Sequence, residues 1–498
     1  MAAERHPDKL AFRDDNRAVS YAQLSQRTGR LAGHLRSLGV QAGDRVAIYL
    51  KNGVAHVESY FAIARAGAIG VPINIQAAPA EVEHMVSDSG ARIAVADAEH
   101  ADRLELEQVI TVGEADGDGL DFDVLMMNDP HEPSPDTLGL YDPAWILYTS
   151  GTTGRPKGVV LTQHGFLWVV AACWVPIVGY GPHDYALSPL PLFHSYALNV
   201  SVLAPLATGA SEYVMERYSP GECLRLLRTE GITFFPGVPT MFHYLLHELG
   251  DEELRAETLR VCVSAGAIMP AMLNEDFERA TSVTLLDGYG ITETSTMVTQ
   301  SWPTGARPMG SCGLPVPGSA VRIVEPGSDR DVAPGERGEL IVRGPHVMLG
   351  YHAREKETAE ALRNGWYHTG DEAISDENGY LTITGRIKEL IIRGGENIAP
   401  FEVEQVVSQH KAIFDCAVVG RPHAELGEVP VLFAVPVQGE EIDPEDVRRF
   451  CHEQLSSFKV PAEIHVVDDI PKTGSGKIKR HELAERLPTS APPAQSGS

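Results

Sequence analysis

Tyr148-Thr-Ser-Gly-Thr-Thr-Gly-Arg-Pro-Lys-Gly-Val159 decides how the rest of this chain is read. The apolar run Trp145-Ile146-Leu147 leads into it and a second begins at Val159, as when a loop leaves one strand for the next. Between them stand the hydroxyls of Thr149, Ser150, Thr152 and Thr153, the glycines Gly151, Gly154 and Gly158, and the cations Arg155 and Lys157. Glycine lets the backbone turn its N–H groups inward, which makes a concavity suited to anionic oxygens. Hydroxyls and Lys157 add donors and charge, so the stretch is expected to handle phosphate. No frame of it supplies G-x-x-x-x-G-K-[ST], which excludes a Walker A motif.

A chain of 498 residues is too long for one core and predicts two or more domains. Its net charge of −27 repels nucleic acid and anionic membranes, so neither is expected as a partner. The same field repels phosphate-bearing ligands, whose binding must then rest on local donors. Six cysteines are scattered without a C-x-x-C pair, which disfavours zinc and disulfides and suits a reducing cytoplasm; no apolar signal region opens the chain. Residues 158–183 and 185–211 lack Asp, Glu, Lys and Arg, yet Pro176, Pro189, Pro191, His194 and Pro205 interrupt them. Buried elements are expected there, not stable membrane insertion.

Leu24, Thr28, Leu31, Leu35 and Leu38 recur at helical spacing before Gly39, and Arg45 to Leu50 then reads as a strand. Such alternation predicts α/β layers. Residues 113–137 are acidic and breaker-rich and read as a surface loop. Texture changes after Gly385-Arg386, giving an expected division into 1–386, 387–487 and a polar, proline-rich, disordered tail at 488–498.

Further motifs follow the phosphate loop in order: Asp287-Gly-Tyr-Gly-Ile-Thr-Glu-Thr294, Tyr367-His-Thr-Gly-Asp371, Gly385-Arg-Ile-Lys-Glu-Leu-Ile-Ile-Arg-Gly-Gly395 and Pro471-Lys-Thr-Gly-Ser-Gly-Lys477. Together they resemble the adenylate-forming superfamily, which includes acyl-CoA synthetases, adenylation domains of peptide synthetases and firefly-type luciferases. The resemblance runs from Pro7-Asp8 to Arg480 and points to the acyl-CoA synthetase (fatty-acid–CoA ligase) branch. It implies an α/β fold, with a large multi-subdomain N-terminal domain and a small mobile α+β C-terminal domain. It also implies a reaction in two halves: a carboxylic acid and ATP give acyl-AMP and pyrophosphate, then CoA takes the acyl group as a thioester. Two anions must meet in the first half, so positioning and charge neutralisation are expected to dominate.

Carried onto this sequence, the resemblance assigns the β/γ-phosphates to Thr149, Ser150, Gly151, Thr152, Thr153, Gly154 and Lys157. Glu293 becomes the Mg²⁺ ligand and Thr292 a donor to the α-phosphate. Asp287, Gly288, Tyr289 and Gly290 resemble an adenine site, with Gly266 and Ala267 as the opposite wall. Asp371 resembles the ribose anchor, seconded by Arg386. Lys477 is the expected bridge between carboxylate and α-phosphate, Lys388 the hinge for domain alternation, and Gly395 a lining of the CoA pantetheine tunnel.

His194, within Pro191-Leu-Phe-His-Ser-Tyr-Ala-Leu198, stands where peptide-synthetase domains carry an aspartate. A substrate ammonium would be buried there unpaired, which disfavours amino acids. His194 instead resembles the gate residue of acyl-CoA synthetases. With Phe193, Phe235, Val238, Gly266, Met297 and Val298 it outlines an apolar acyl pocket. A medium-length aliphatic acid, branched ones included, is expected. An arylalkanoate or cinnamate-type acid remains open, with Gly266, Gly288 and Gly290 leaving room for a flat ring. A ligase that hands acyl-AMP to a carrier protein is the mechanistic rival.

Overall fold

The fold is described from a computed structural model, which covers residues 2–113, 119–149, 155–473 and 477–487. The described chain forms two compact units, residues 1–321 with 342–368 and residues 322–341 with 369–498. The second unit therefore gathers strands that precede Arg386 as well as everything after it. The expected tail at 488–498 lies outside the described residues.

The first unit is built on two large, mainly parallel sheets. In the nine-stranded sheet, parallel strands Leu10–Arg13, Ser211–Val214, Tyr185–Ser188, Phe234–Gly237, Val261–Ser264 and Thr284–Ile291 lie side by side. Antiparallel strands Thr296–Gln300 and Leu314–Pro315 extend one edge. The eight-stranded sheet runs from Gly350–Tyr351 through Lys157–Thr162, Pro143–Thr149, Ile69–Pro72 and Arg45–Tyr49 to Ile93–Asp97 and beyond. Parallel strands need crossovers, and the helices Val54–Arg65 and Pro79–Ser89 supply them in the eight-stranded sheet.

The helix Tyr21–Ser37 shows how local signals set an element. Ser20 accepts from Gln23 N at 3.3 Å and Gln23 Oε1 accepts from Ser20 N at 2.8 Å, a reciprocal cap of about 1 kcal/mol. Leu24, Thr28, Leu31 and Leu35 are buried along one face, and Gly39 follows with φ +94°. The expected surface loop at 113–137 is corrected in part: Phe122–Met127 is a helix whose Phe122 and Met126 are buried. Two apolar anchors a turn apart outweigh the surrounding acidic residues. The uncharged segments form buried elements, including π-helical turns at Val170–Trp174 and Leu198–Leu203. Among the described residues no helix is long and apolar enough to cross a membrane.

The nine-stranded sheet carries a separate core on each face. Phe234, Val238, Val263, Leu286 and Met297 belong to one, while Phe235, Phe242, Cys262, Phe277 and Leu285 belong to the other. In the second unit, Ile391–Arg393, Gly427–Pro436, Ile413–His423 and Glu463–Val466 form a sheet over its own apolar cluster. Gly394 and Gly395, at φ +61° and +90°, make the two-residue turn between Ile391–Arg393 and Glu396–Ile398.

Candidate active site

The phosphate-loop sequence sits at the end of a hairpin. Strands Pro143–Thr149 and Lys157–Thr162 pair antiparallel, with Tyr148 opposite Gly158 and Thr149 opposite Lys157. Ser150, Gly151, Thr152, Thr153 and Gly154 lie outside the described residues. Lys157 extends its ammonium over the Tyr351 ring, 5.5 Å from the centroid. Tyr351 belongs to the short strand Gly350–Tyr351, which pairs with 159–160 of the same hairpin.

Tyr351 also reaches Glu293. Its hydroxyl donates to Glu293 Oε1 at 3.0 Å, and Met348 N donates to the Glu293 carbonyl at 2.8 Å. Burial and the nearby Glu293 carboxylate push the Tyr351 phenol well above its ordinary pKa, so it stays a donor. Glu293 itself lies in a 3₁₀ turn, Thr292–Thr294. Ser295 and Thr296 follow at φ +49° and +100°. Positive φ at a β-branched residue costs of order 1–3 kcal/mol and persists only where the surroundings fix it. Ser295 Oγ, donating to His346 O at 2.8 Å, is one such fixture. Thr292 Oγ1 lies 3.3 Å from Ser195 Oγ, which joins this turn to the His194 segment.

The expected adenine residues line the strand Thr284–Ile291. Asp287 is 7 % exposed, and its Oδ1 has no hydrogen-bond partner among the described residues. Burial holds its carboxyl well above the usual carboxylate range. A buried oxygen without a protein donor is where a ligand N–H is most useful. Gly266 adopts φ +88° directly after strand Val261–Ser264, so Gly266 and Ala267 do form a strand-end turn.

The supposed ring space at Gly288 and Gly290 is corrected by packing. A Cβ at Gly288 would meet Met297 Cε at 2.3 Å, and one at Gly290 would meet Thr296 O at 1.9 Å. These glycines let the strand Thr296–Gln300 approach closely, and the chain's own atoms fill the gap. At Gly266 a Cβ meets nothing nearer than Val238 Cγ1, at 3.6 Å.

The segment that follows His194 packs against apolar groups through Tyr196. His194 caps the turn Ser195–Ala197, with its ring 4.3 Å from that of Phe193. Val238, Met297 and Trp174 share one core cluster, with Tyr196 packed against it. Trp174 Nε1 donates to Asn199 Oδ1, and Asn199 Nδ2 donates to Phe166 O at 2.9 Å, which pins the two π-helical turns together. Phe235 is corrected: pleat alternation turns it to the opposite face, 5.7 Å from Phe242 in the other core. Val298 is buried but stands outside the cluster that holds Met297.

In the second unit, Asp371 and Arg386 are cross-strand partners, with Arg386 Nε 3.2 Å from Asp371 Oδ1. Asp371 is 4 % exposed and its N–H donates to Thr369 Oγ1 at 3.0 Å. Lys388 lies in the 3₁₀ turn Ile387–Glu389 and is exposed. Lys477 is exposed beside a small hairpin base: Lys472 bridges Ile478, and Thr473 N donates to Lys477 O at 2.7 Å. Arg480 anchors this region by donating to Glu404 Oε1 at 2.6 Å and Glu389 Oε2 at 3.2 Å. The basic residues after Lys477 are therefore ion-paired, Arg480 to Glu404 and Glu389 and Lys479 to Glu482. Tyr351, Ser195, Trp174, Asn199 and Arg480 were not singled out as site residues by sequence. Only Gly350-Tyr351, an apolar pair after an uncharged run, gave any local signal.

The AMP-binding enzyme family matches residues 1–352, and the AMP-binding enzyme C-terminal domain matches 402–477. The chain is 36% identical over 490 residues to a feruloyl-CoA synthase of Amycolatopsis, covering 97% of each. It is 33% identical to a long-chain-fatty-acid–CoA ligase of Escherichia coli, covering 97% of this chain and 93% of that one. The solved structure of an anthranilate CoA ligase in complex with anthranoyl-AMP superposes with a TM-score of 0.90 at 27% identity, covering 97% and 96%. The chain thus belongs to the adenylate-forming AMP-binding enzymes, in the acyl-CoA synthetase branch, and is an AMP-forming acid–CoA ligase.

Proposed function

We propose that this ligase activates an acid that carries no second charge and has an apolar body, best fitted by a medium-length aliphatic acid, branched ones included. The observation behind this reading is the apolar cluster that holds Val238, Met297 and Trp174, against whose Trp174 ring Tyr196 of the His194 segment packs at 6.2 Å. Arg307 donates to Glu278 at 2.7 and 2.9 Å, so it is committed away from a second substrate carboxylate. Acetate leaves an apolar pocket unfilled, while each buried methylene contributes ~0.8 kcal/mol. A second reading, an aryl acid, draws support from the feruloyl-CoA and anthranilate relatives and from Gly266, where a Cβ would meet only Val238 Cγ1 at 3.6 Å.

In the chemistry we infer, a carboxylate oxygen attacks the α-phosphorus of ATP and pyrophosphate departs. The loop 148–159 and Lys157 hold the β/γ-phosphates, Thr292 donates to the α-phosphate, and Lys477 bridges it to the acid. Asp287 accepts from the adenine amine beside Tyr289, while Asp371 and Arg386 take the ribose. Glu293 is the proposed Mg²⁺ ligand; one protein carboxylate fits this ion, which fills its shell with water and phosphate oxygens and neutralises charge. In the second half the CoA thiol attacks the acyl carbonyl and AMP leaves, with Lys388 as hinge and Gly395 lining the tunnel. A cytoplasmic setting and a place in fatty-acid metabolism belong to the same reading, with six buried free thiols supporting a reducing compartment.

Specificity constants at saturating ATP and CoA test it, using hexanoate, octanoate, ferulate, cinnamate, benzoate, malonate and acetate. Preference for hexanoate or octanoate is expected. Preference for ferulate or cinnamate replaces the first reading with the second, and preference for malonate or acetate overturns the apolar pocket.

A further inference from the structure

Both flanks of the phosphate loop are held from one helix face. The helix Pro79–Ser89 carries His84 and Asp88 four residues apart, so their side chains lie one above the other. Asp88 Oδ2 accepts from the Tyr148 hydroxyl at 2.8 Å, where the chain enters the loop. His84 Nε2 lies 3.0 Å from the Pro156 carbonyl, where the chain leaves it. A carbonyl only accepts, so Nε2 carries the proton in this contact. The His84 ring also stands edge-on to the Tyr148 ring, 6.2 Å away. The second oxygen of Asp88 accepts from Arg354 Nη2 at 2.8 Å. Arg354 follows Tyr351 by three residues, and Tyr351 is the residue that touches both Lys157 and Glu293.

Ladder bonds between 148–149 and 157–158 fix the register of this hairpin. They do not fix its twist relative to the sheet, since a two-stranded end twists more freely than a sheet interior. The contacts from His84 and Asp88 remove that freedom at both strands, Tyr148 on one and Pro156 beside the other. The Asp88 side chain is 12 % exposed, so its charge-assisted bonds are shielded from competing water. Burial and then Asp88 itself raise the Tyr148 phenol well above its ordinary range, which keeps it a donor.

We propose that His84 and Asp88 are positioning residues of the ATP site: they fix the two strand ends, at Tyr148 and Pro156, that flank the phosphate-handling stretch, and Asp88 couples them through Arg354 to the segment that holds Glu293. The inference rests on reading 148–159 as the triphosphate site. Its consequence is specific to one step. ATP binding and adenylation depend on the clamp, whereas transfer from a ready-made acyl-adenylate to CoA involves no β/γ-phosphate and does not.

The test uses the full chain and Asp88→Ala, Asp88→Asn, His84→Ala and Tyr148→Phe. Affinity for Mg·ATP is measured by calorimetry without acid, and CoA transfer is measured from supplied acyl-adenylate. Asp88→Ala is expected to weaken ATP about tenfold, the loss of hydrogen bonds to a charged group. Asp88→Asn is expected to lose less, because its carbonyl oxygen still accepts from Tyr148. Tyr148→Phe combined with Asp88→Ala should add little to Asp88→Ala alone, because both remove one contact. CoA transfer should be unchanged in Asp88→Ala, Asp88→Asn and His84→Ala. Should Asp88→Ala not fold, Tyr148→Phe carries the same test through a single hydroxyl. Equal loss in both half-reactions, or unchanged ATP affinity, overturns the clamp. A wild-type chain that binds no ATP overturns the triphosphate assignment itself, which separates the two failures.

Discussion

Glu293 and Lys477 carry the two opposite charges of the proposed adenylation chemistry, and their settings differ in kind. Glu293 is half-buried, held by Tyr351 and Met348 and followed by two strained residues that Ser295 and His346 keep in place. Lys477 is exposed, and the contacts around it secure the base of its hairpin through Thr473, Ile478 and the Arg480–Glu404 pair. A charge that must stand fixed against metal and phosphates benefits from walls and strain, because reorganisation at the moment of reaction is then avoided. A charge needed in one half-reaction only has to stand exposed on an anchored base, as Lys477 does.

The sharpest way to break this contrast is Lys477→Ala. Acid-dependent pyrophosphate exchange is expected to fall about a thousandfold, with CoA transfer from supplied acyl-adenylate unaffected. Equal loss in both assays would make the lysine structural. Glu293→Gln comes next, with adenylation down about a hundredfold and the Mg²⁺ concentration for half-maximal exchange raised. Tyr351→Phe should reproduce about a tenth of that loss, since it removes one bond to the carboxylate and keeps the ring under Lys157.

The complementary side of the comparison lies at Lys388 and Gly395. Lys388→Pro, which fixes φ near −65°, should leave adenylation intact and abolish thiolation. Gly395→Leu is a poor probe of the tunnel, because at φ +90° it strains the turn whatever else it blocks. Gly395→Asn tolerates that conformation better and should still slow CoA transfer selectively. Normal acyl-CoA formation in both Lys388→Pro and Gly395→Asn would remove the alternation reading.

The smallest effect concerns the fixed side alone. His346, stacked on Trp168 at 4.6 Å, is lowered by burial to about 4. Below its unfolded value near 6.5 the unfolded chain gains a proton that the folded one refuses. Stability is therefore lost as pH falls from about 6.5 toward 4, by up to about 3 kcal/mol. Asp287 and Glu212, raised by burial, act with the opposite sign on acidification. The informative quantity is thus the melting-temperature difference between wild type and His346→Asn, which should shrink between pH 7 and about 5. A constant difference would show that His346 does not titrate against the Glu293 frame.

The sequence by itself determined the order of elements and pointed to the motif positions on which the proposed chemistry rests. Capping at Ser20, the helical leucines before Gly39 and the glycine turns all follow from local backbone preference, which needs no distant partner. The motif residues Asp287, Glu293, Asp371 and Lys477 were legible because their neighbours form recognisable runs. What only the tertiary structure decided falls into two kinds. One is facing: Phe234 and Phe235 are equally apolar, and a sheet buried on both sides gives no polar contrast to say which face is which. The same limit hid the fate of the space at Gly288 and Gly290, since a missing side chain does not reveal what fills its place. The other is partnership across the chain. Tyr351 meets Glu293 at a separation of 58 residues, Tyr148 meets Asp88 at 60, and Arg480 meets Glu404 at 76. No local periodicity encodes such pairs, because a side chain's partner is fixed by how the sheets bring distant strands and helices together.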